Sequence, residues 1–333
     1  MPPVASSIPS CVDPARRRLR VGIVGAGRTR QGLGPFLAQT LVRAGCDLVG
    51  VAGRDQASAE RAAAALAPAL GQPVAAFATA TELASRVDAL VVAAPVPGHL
   101  GGLDAALAAG VPCLCEKPLV AADEVLAGLQ RIALFRERNI LLVENCQWPF
   151  VLPAFHQLWP QRVGAPVHHV AMGLGPGWPG PAMVVDSLSH VLSLVQAVAP
   201  LRPDAMPTQV RQRDGGPTAR RDLVEFTLAA AHGPIEVALH LEHTPAQPRP
   251  AWFAIDGARI DRRLGPDYAH SYVRPDGAAV NLRDPLHQLV YGFVSDLATP
   301  NRDRTTALAD VIAFRLRCYA HILAALGIAS RAG

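Results

Sequence analysis

Two short segments of the chain carry side chains that can bind and exchange protons with a small molecule. One reads CEKP (residues 115–118) and contains Lys117; the other reads DSLSH (residues 186–190) and contains Asp186 and His190. An ammonium group can hydrogen-bond a substrate oxygen and stabilise the negative charge that develops on it. A histidine near its ordinary pKa can give or take a proton at neutral pH. Residues i and i+4 share one face of a helix, so Asp186 and His190 can reach one pocket, or can form a purely structural pair.

Lys117 is unusual because only one of the 31 lysine and arginine residues is a lysine. Arginine serves for solubility and surface pairing. Its wide planar fork cannot replace a compact ammonium, whose pKa can shift, beside a reacting oxygen. The retention of lysine at this one position favours a catalytic role for it.

A glycine-rich turn follows the first apolar run. The segment reads VGIVGAGRTRQGLGP, with Gly25 and Gly27 at the turn and Arg30 where the third glycine of a GxGxxG fingerprint would stand. Glycines let the backbone turn tightly and approach a pyrophosphate, whose charge is met by the amides at the start of the next helix. We therefore predict that Gly25, Gly27 and Arg28 bind a dinucleotide, on a turn that is longer than the usual fingerprint.

The end of the second apolar run bears on which dinucleotide is bound. Residues 51–55 read VAGRD and end in Arg54 and Asp55. A guanidinium suits the 2′-phosphate of NADP, whereas a carboxylate here would bind the ribose hydroxyls of NAD. We predict NADP as the cofactor, with Arg54 as one of its ligands. NAD is the alternative, in which Arg54 is a surface arginine and Asp55 holds the ribose.

A proline-rich loop follows a central apolar run. It contains Pro95 and His99, and Glu116 and Lys117 follow the next apolar run along the chain. Open α/β sheets bind ligands at the carboxyl ends of their strands, so we predict these four residues beside the cofactor. For His99, a structural role in the loop is an equally good interpretation.

Apolar runs alternate with helical patterns in the first part of the chain. Runs without polar alternation are typical of parallel strands covered on both faces by helices. The pattern predicts a doubly wound parallel α/β domain of the Rossmann type over residues 19–147, preceded by a flexible tail over residues 1–18. Strands are predicted at residues 19–24, 47–52, 88–94, 112–115 and 140–144, and helices at residues 35–44, 57–70, 100–109 and 121–138.

The remaining residues, 148–333, follow a different pattern. A helical stretch at 183–198 precedes segments that alternate apolar and polar residues, at 223–229 and 235–241, without helices between them. Such hairpin-scale spacing predicts an α+β domain with a mostly antiparallel, open sheet. Two further helices are predicted at residues 285–297 and 305–326.

Composition limits the classes of protein to which the chain can belong. Its 333 residues are 50% hydrophobic and 17% charged, which excludes disorder over most of the chain. The net charge of +4 is spread over both halves, which argues against a nucleic-acid partner. Six scattered cysteines and no convincing signal segment favour a cytoplasmic protein. Glycines and prolines interrupt the charge-free residues 163–185, so no membrane span is predicted.

No metal site is predicted either. His168 and His169 adjoin in a strand-like segment and therefore point to opposite faces, which makes them a poor pair of ligands.

These motifs together resemble the Gfo/Idh/MocA family of oxidoreductases over residues 20–326. The matching features are the Gly25–Gly27 turn, the Pro95–His99 loop, the run AALAAGVPCLCEKP that ends in the EKP motif, and the DSLSH segment. The resemblance implies an N-terminal Rossmann domain and a second α/β domain whose open sheet often supports oligomers, so we expect a homo-oligomer, a dimer or a tetramer. It also implies that Lys117 and His190 form the catalytic pair, with Asp186 orienting His190 or binding a neighbouring hydroxyl.

The segments flanking these motifs depart from the family pattern and bear on the substrate. Gln147 stands where relatives usually carry a cation, and Trp148 adds a flat apolar surface. A charge-free loop, GLGPGWPGP, brings Trp178 just before the DSLSH segment. We predict Gln147, Trp148 and Trp178 as substrate contacts that can stack on a sugar ring. Ordinary packing is an equal alternative for both tryptophans.

The function that these observations favour is hydride transfer between a nicotinamide and a sugar, a polyol or a related small alcohol or carbonyl compound. Two alternatives remain open at this point. One is reduction of an imine or a conjugated double bond on the same fold, and the other is a nucleotide-binding regulatory protein without turnover.

Overall fold

The computed structural model describes residues 17–27, 32–265 and 268–328. Within them the chain forms two β-sheets. The first is parallel, with six strands in the order β3-β2-β1-β4-β5-β6. Its strands are β1 (Arg20–Val24), β2 (Asp47–Ala52), β3 (Ala75–Phe77), β4 (Ala89–Val92), β5 (Cys113–Cys115) and β6 (Leu142–Glu144). Its helices are α1 (Gly34–Arg43), α2 (Gln56–Leu70), α3 (Ala80–Ala84), α4 (His99–Ala109) and α5 (Val125–Glu137).

The strand order explains why ligand-binding residues gather at one edge of this sheet. β1 lies between β2 and β4, so the direction of winding reverses there. At such a point the loops after two neighbouring strands diverge and leave a crevice. The central strands are buried on both faces, as in β4, because helices cover the sheet on each side. The predicted Rossmann-type sheet is therefore confirmed.

The second sheet has eight strands in the order β14-β13-β12-β11-β7-β10-β9-β8. All neighbouring strands in it are antiparallel except β7 and β10, which confirms the mostly antiparallel prediction. Helices α6 (Leu152–Leu158) and α7 (Pro181–Val198) belong to this part of the chain. The strands are β7 (His169–Leu174), β8 (Thr208–Gln212), β9 (Arg221–Ala230), β10 (Gly233–Glu242), β11 (Ala251–Ile255), β12 (Ala258–Leu264), β13 (His270–Val273) and β14 (Ala279–Leu282).

The last two helices return to the first domain. Helix α8 (Pro285–Ala298) packs on α1, and helix α9 (Arg302–Ala325) packs on α5, β6 and α7. Four apolar side chains of α8 belong to the same hydrophobic core as strand β1 and helix α1, namely Leu286, Leu289, Val290 and Phe293. The predicted boundary after residue 147 therefore separates the two sheets, whereas the packing of the C-terminal helices joins the two domains.

Several local features differ from the sequence predictions. Strand β3 and helix α3 were not predicted, because each is short and lacks a clear apolar period. The residues 1–16 of the predicted tail lie outside the described residues. Arg17 and Arg18 form ion pairs with Asp88 and Asp47, so the end of that segment is anchored on the Rossmann domain.

Helix α7 is long and apolar enough to cross a bilayer by composition, but 56% of it is buried inside the protein. It is the helix that carries Asp186 and His190, and its apolar residues pack into the core between the sheets. Within the described part of the chain, no group of three or more His, Cys, Asp or Glu side chains is placed to hold a metal ion.

Candidate active site

A cavity of about 380 Å³ lies where the two domains meet. Elements of both sheets contribute to its wall, which brings the CEKP and DSLSH segments to one place although 69 positions separate Lys117 from Asp186. Polar and charged residues that line the cavity are Glu116, Lys117, Asn145, Gln147, Asp186, Ser187, His190, Gln247, Arg249, Arg262, Tyr268, His270 and Tyr272.

Lys117 is held by Asp186. The Lys117 Nζ donates to Asp186 Oδ1 at 2.6 Å and to the Asp186 backbone carbonyl at 2.9 Å. The Lys117 side chain is only 14% exposed, so the ion pair is partly desolvated. Burial raises the pKa of Asp186, but the Lys117 ammonium outweighs it and holds that pKa below the ordinary value. The Asp186 carboxylate is therefore ionised at neutral pH, and the two hydrogen bonds fix the direction of the Lys117 side chain.

His190 lies one helical turn after Asp186 on α7 and also faces the cavity. Its Nδ1 is buried and has no hydrogen-bond partner among the described residues. Burial, followed by the Lys117 charge, lowers the pKa of His190 to about 3. The imidazole is thus neutral at physiological pH and can accept a proton.

The role expected for Asp186 is modified by this geometry. Asp186 was predicted to orient His190 or to bind a neighbouring hydroxyl, yet its carboxylate is engaged by Lys117, and no hydrogen bond joins it to His190 in the described structure. The pairing arises because Lys117 extends from the end of β5 towards the first half of α7. Asp186 therefore positions the lysine.

A buried polar network lies behind the lysine. Asn145 Nδ2 donates to Glu116 Oε1, and burial raises the pKa of Glu116 to about 7. The next carboxylate, Glu144 at the end of β6, pairs with Arg315 of α9. The side chains of Glu144 and Arg315 are only 3% and 8% exposed. This ion pair joins helix α9 to the last residue of β6, directly before Asn145.

The glycine-rich turn has the shape that a dinucleotide requires. Gly25 has φ +84°, and a Cβ there would lie 2.3 Å from the Ala94 Cα, so a larger residue cannot fit between the loops after β1 and β4. Gly27 has open space where its Cβ would be. A Cβ on Gly34 would lie 2.7 Å from the Ala26 Cα, so Gly34 provides the close approach of helix to turn expected of the third fingerprint glycine.

The turn runs from the end of β1 at Val24 to the start of α1 at Gly34, which is the longer form that the sequence predicted. Arg28, predicted as a cofactor ligand, lies outside the described residues. The open space at Gly27 and the absence of side-chain bulk at Gly25 fit a pyrophosphate laid across this turn.

The end of β2 presents an exposed cation. The Arg54 side chain is 87% exposed and lies 3.4 Å from Asp55. The Asp55 carboxylate caps α2 by accepting from the Ser58 backbone N–H at 2.7 Å, and this bond lowers the pKa of Asp55. Asp55 thus has a structural use of its own at the start of α2.

His99 lies away from the cavity. It is 1% exposed, with Nε2 2.8 Å from the Ala94 carbonyl oxygen and Nδ1 3.0 Å from that of Pro118. Both ring nitrogens are used, which favours the structural interpretation of His99, and its contact with the cofactor stays a prediction. The ring ties the loop after β4 to the residue that follows Lys117. Pro95 is exposed in the same loop, directly after the Ala94 that abuts Gly25.

Of the three predicted substrate contacts, the structure brings two to the cavity. Gln147 and Trp148 line it; Gln147 Nε2 donates to Asn145, and the Trp148 ring meets His190 edge-on at a centroid distance of 6.4 Å. Trp148 is 6% exposed and also packs on Phe253, so it combines packing with a place in the wall. Trp178 is 59% exposed and is not part of the cavity wall.

Other cavity residues were missed by the sequence analysis. Arg249, Arg262, Tyr268, His270 and Tyr272 come from the far end of the second sheet or its loops. For Arg262 a signal was present in the sequence. Ile260, Arg262 and Leu264 recur at the two-residue period of one strand face, so an arginine interrupts an otherwise apolar face.

Known proteins resemble this chain in two respects, the sequence of its first domain and its fold. Residues 19–144 match the GFO_IDH_MocA family, described as an oxidoreductase family with an NAD-binding Rossmann fold. UDP-N-acetylglucosamine 3-dehydrogenase of Acidithiobacillus ferrooxidans is 31% identical over 179 residues, which cover 53% of each chain. Inositol 2-dehydrogenase 4 of Saccharopolyspora erythraea is 42% identical over 107 residues, which cover 32% of this chain and 30% of the relative. The chain thus matches at most about half the length of these curated relatives.

The fold comparison extends further along the chain. A solved structure of the Acidithiobacillus ferrooxidans UDP-N-acetylglucosamine 3-dehydrogenase aligns with a TM-score of 0.65 at 21% identity, over 93% of this chain and 99% of that one. This similarity covers both domains and concerns the architecture alone. The first domain, over residues 19–144, thus matches the Gfo/Idh/MocA family of oxidoreductases, and both sheets follow the architecture of this solved dehydrogenase.

Proposed function

We propose that this protein catalyses reversible hydride transfer between NAD(P) and a hydroxyl-bearing carbon of a sugar, a polyol or a related small molecule. The observation that carries the proposal is the convergence of Lys117, Asp186 and His190 on one cavity beside the glycine-rich turn. The names of the relatives, which are dehydrogenases of a sugar nucleotide and of inositol, support this substrate class.

The cofactor supplies the hydride acceptor or donor when it is bound. The residues that would hold it are Gly25 and Gly27 at the pyrophosphate, Arg54 at the adenosine end, and Pro95 and Glu116 along the sheet edge. Lys117 directly follows Glu116 in the chain and lines the cavity. It would lie at the nicotinamide end of the cofactor.

Lys117 would donate a hydrogen bond to the reacting oxygen. The ammonium that helps to lower the pKa of His190 would equally lower the pKa of a substrate hydroxyl beside it. In alcohol oxidation His190 would accept the hydroxyl proton, at Nε2 because Nδ1 is buried, and the hydride would pass from the carbon that bears this hydroxyl to the nicotinamide. In carbonyl reduction the same proton returns to the oxygen. Asp186 keeps the ammonium in place throughout.

NADP is our first choice of cofactor. The exposed Arg54 and the engagement of Asp55 in capping α2 support a 2′-phosphate at this end. Arg54→Met should raise the KM for NADP by about tenfold, from the loss of a charge-assisted contact, and leave the KM for NAD nearly unchanged. Equal effects on both cofactors would favour NAD. Arg61→Met, on the outward side of α2, serves as the matched control.

The catalytic assignment is tested by Lys117→Met. Turnover should be measured by NAD(P)H absorbance on a panel that includes myo-inositol, UDP-N-acetylglucosamine and simple imines. Loss of the donor should lower kcat by about 100-fold or more, with little change in NADPH affinity. Lys117→Arg should not restore kcat, since the wide guanidinium of arginine cannot take the place of the compact ammonium. Equal turnover by the wild type and Lys117→Met would refute the assignment, and NADPH binding without turnover of any substrate would support a regulatory protein.

A further inference from the structure

Arg262 occupies an unusual place for a cation. It lies on the inward face of β12 between Ile260, which is fully buried, and Leu264, and it lines the cavity. The register of the sheet sets it opposite Tyr272 of β13. Its guanidinium lies 5.9 Å from the centre of the Trp148 ring, the ring that also meets His190.

The protein provides little to offset this charge. Arg262 Nη2 donates to the Arg249 carbonyl at 3.0 Å, whereas Nε is buried without a hydrogen-bond partner among the described residues. No described carboxylate oxygen lies within 4.0 Å of the guanidinium. Burial lowers the pKa of Arg262, with Tyr272 and Asp284 acting in the opposite direction. A buried charge without a partner is costly, so such an arginine is usually completed by a ligand or a second protein group.

The carboxylates of the cavity wall are already in use. Asp186 accepts from Lys117, and Glu116 accepts from Asn145. Asp284, beneath the wall, accepts from the Leu286 backbone N–H and lies 3.5 Å from His270. The wall therefore holds a positive charge on Arg262 that these carboxylates do not directly pair.

We propose that Arg262 binds an anionic group of the substrate, a carboxylate or a phosphate carried on the same molecule as the reacting hydroxyl. Both groups match the flat two-pronged face of a guanidinium. The inference rests on the proposed function, and it narrows the substrate class from neutral polyols to sugar acids, sugar phosphates or nucleotide sugars.

The test is a binding measurement that needs no turnover. D-Glucose, D-glucuronate and D-glucose 6-phosphate are titrated into the NADP-loaded enzyme by ligand-observed NMR. At least one charged sugar should bind about tenfold or more tightly than glucose, as one charge-assisted contact provides. The charged sugar that gains affinity identifies the group as a carboxylate or a phosphate.

Variants assign the effect to this arginine. Arg262→Met and Arg262→Gln should bind charged and neutral sugars within about twofold of each other, and Arg262→Lys should keep part of the preference. Arg263→Met is the matched control, because its side chain lies on the opposite, exposed face of the same strand. Thermal melts establish that each variant is folded.

Three results would overturn the inference. They are a wild type that binds no charged sugar better than glucose, a preference that survives in both Arg262→Met and Arg262→Gln, and a loss of NADP affinity in these variants with the preference intact. A preference that disappears with Arg262 while no substrate is turned over would leave the inference standing and refute the proposed function.

Discussion

Glu116 provides a quantitative test of how the site is built. Its carboxyl is buried beneath the cavity wall and accepts from Asn145, and burial raises its pKa from 4.5 to about 7. A raised pKa means that the folded protein holds the proton more tightly than the unfolded chain does. As pH rises from 4.5 to 7 the unfolded chain loses its proton first, and the free energy of unfolding falls. Above pH 7 the folded protein bears the full cost of the buried charge.

Glu116→Gln removes this cost while keeping the shape and the acceptor for Asn145. The shift from 4.5 to about 7 corresponds to about 3 kcal/mol of unfolding free energy at pH 8.5 and about 1 kcal/mol at pH 5. The substitution should therefore stabilise the protein, and by more at the higher pH.

Urea unfolding followed by circular dichroism at pH 5 and pH 8.5 measures both values. Glu137→Gln, an exposed carboxylate at the end of α5, controls for the general loss of a negative charge. If Glu116→Gln raises the free energy of unfolding equally at both pH values, or lowers it at pH 8.5, then burial does not raise the pKa of Glu116.

Other parts of the molecule give further predictions. Arg315→Met should lower the free energy of unfolding by about 3–5 kcal/mol in urea titrations, because it leaves Glu144 charged and unpaired, and adding Glu144→Gln should restore most of it. If the double variant is no more stable than Arg315→Met, the loss comes from packing instead. Gly25→Ala should abolish NADP binding in calorimetry and destabilise the protein by more than about 1 kcal/mol, since the added Cβ would overlap Ala94. An unchanged affinity for NADP would contradict the assignment of this turn as the pyrophosphate site. His190, whose pKa is lowered from 6.5 to about 3, favours unfolding as pH falls below 6.5, so His190→Gln should flatten the acid side of the stability profile, and an unchanged acid limb would argue against its burial as a neutral group.

The sequence predicted the elements whose signals are local. Strand β2 has the predicted bounds, and α4 begins one residue before its predicted start, because apolar runs and helical periods report burial directly. Lys117, Asp186 and His190 lie at one cavity, as the resemblance to the family implied; the helical period accounts only for the shared face of Asp186 and His190.

What the sequence did not predict depends on contacts between distant segments. The engagement of Asp186 by Lys117 rather than His190 depends on a contact between α7 and the residue two positions after β5. The burial of His99 depends on two carbonyls from different loops. The presence of Arg262 in the cavity depends on the order of strands in the second sheet, which no local pattern specifies.

The return of α8 to the first domain has a consequence for biosynthesis. Leu289 and Phe293 are 3% and 1% exposed. They complete a hydrophobic core to which Val21 of β1 and other residues of the first domain belong. A ribosome must therefore translate the whole second sheet before the first domain can close its own interior. Until then the nascent chain carries an open apolar surface, which chaperones would be expected to cover and which would make a fragment of residues 19–147 prone to aggregate. The two domains thus have separate sheets, but the first completes its folding only after the second has been translated.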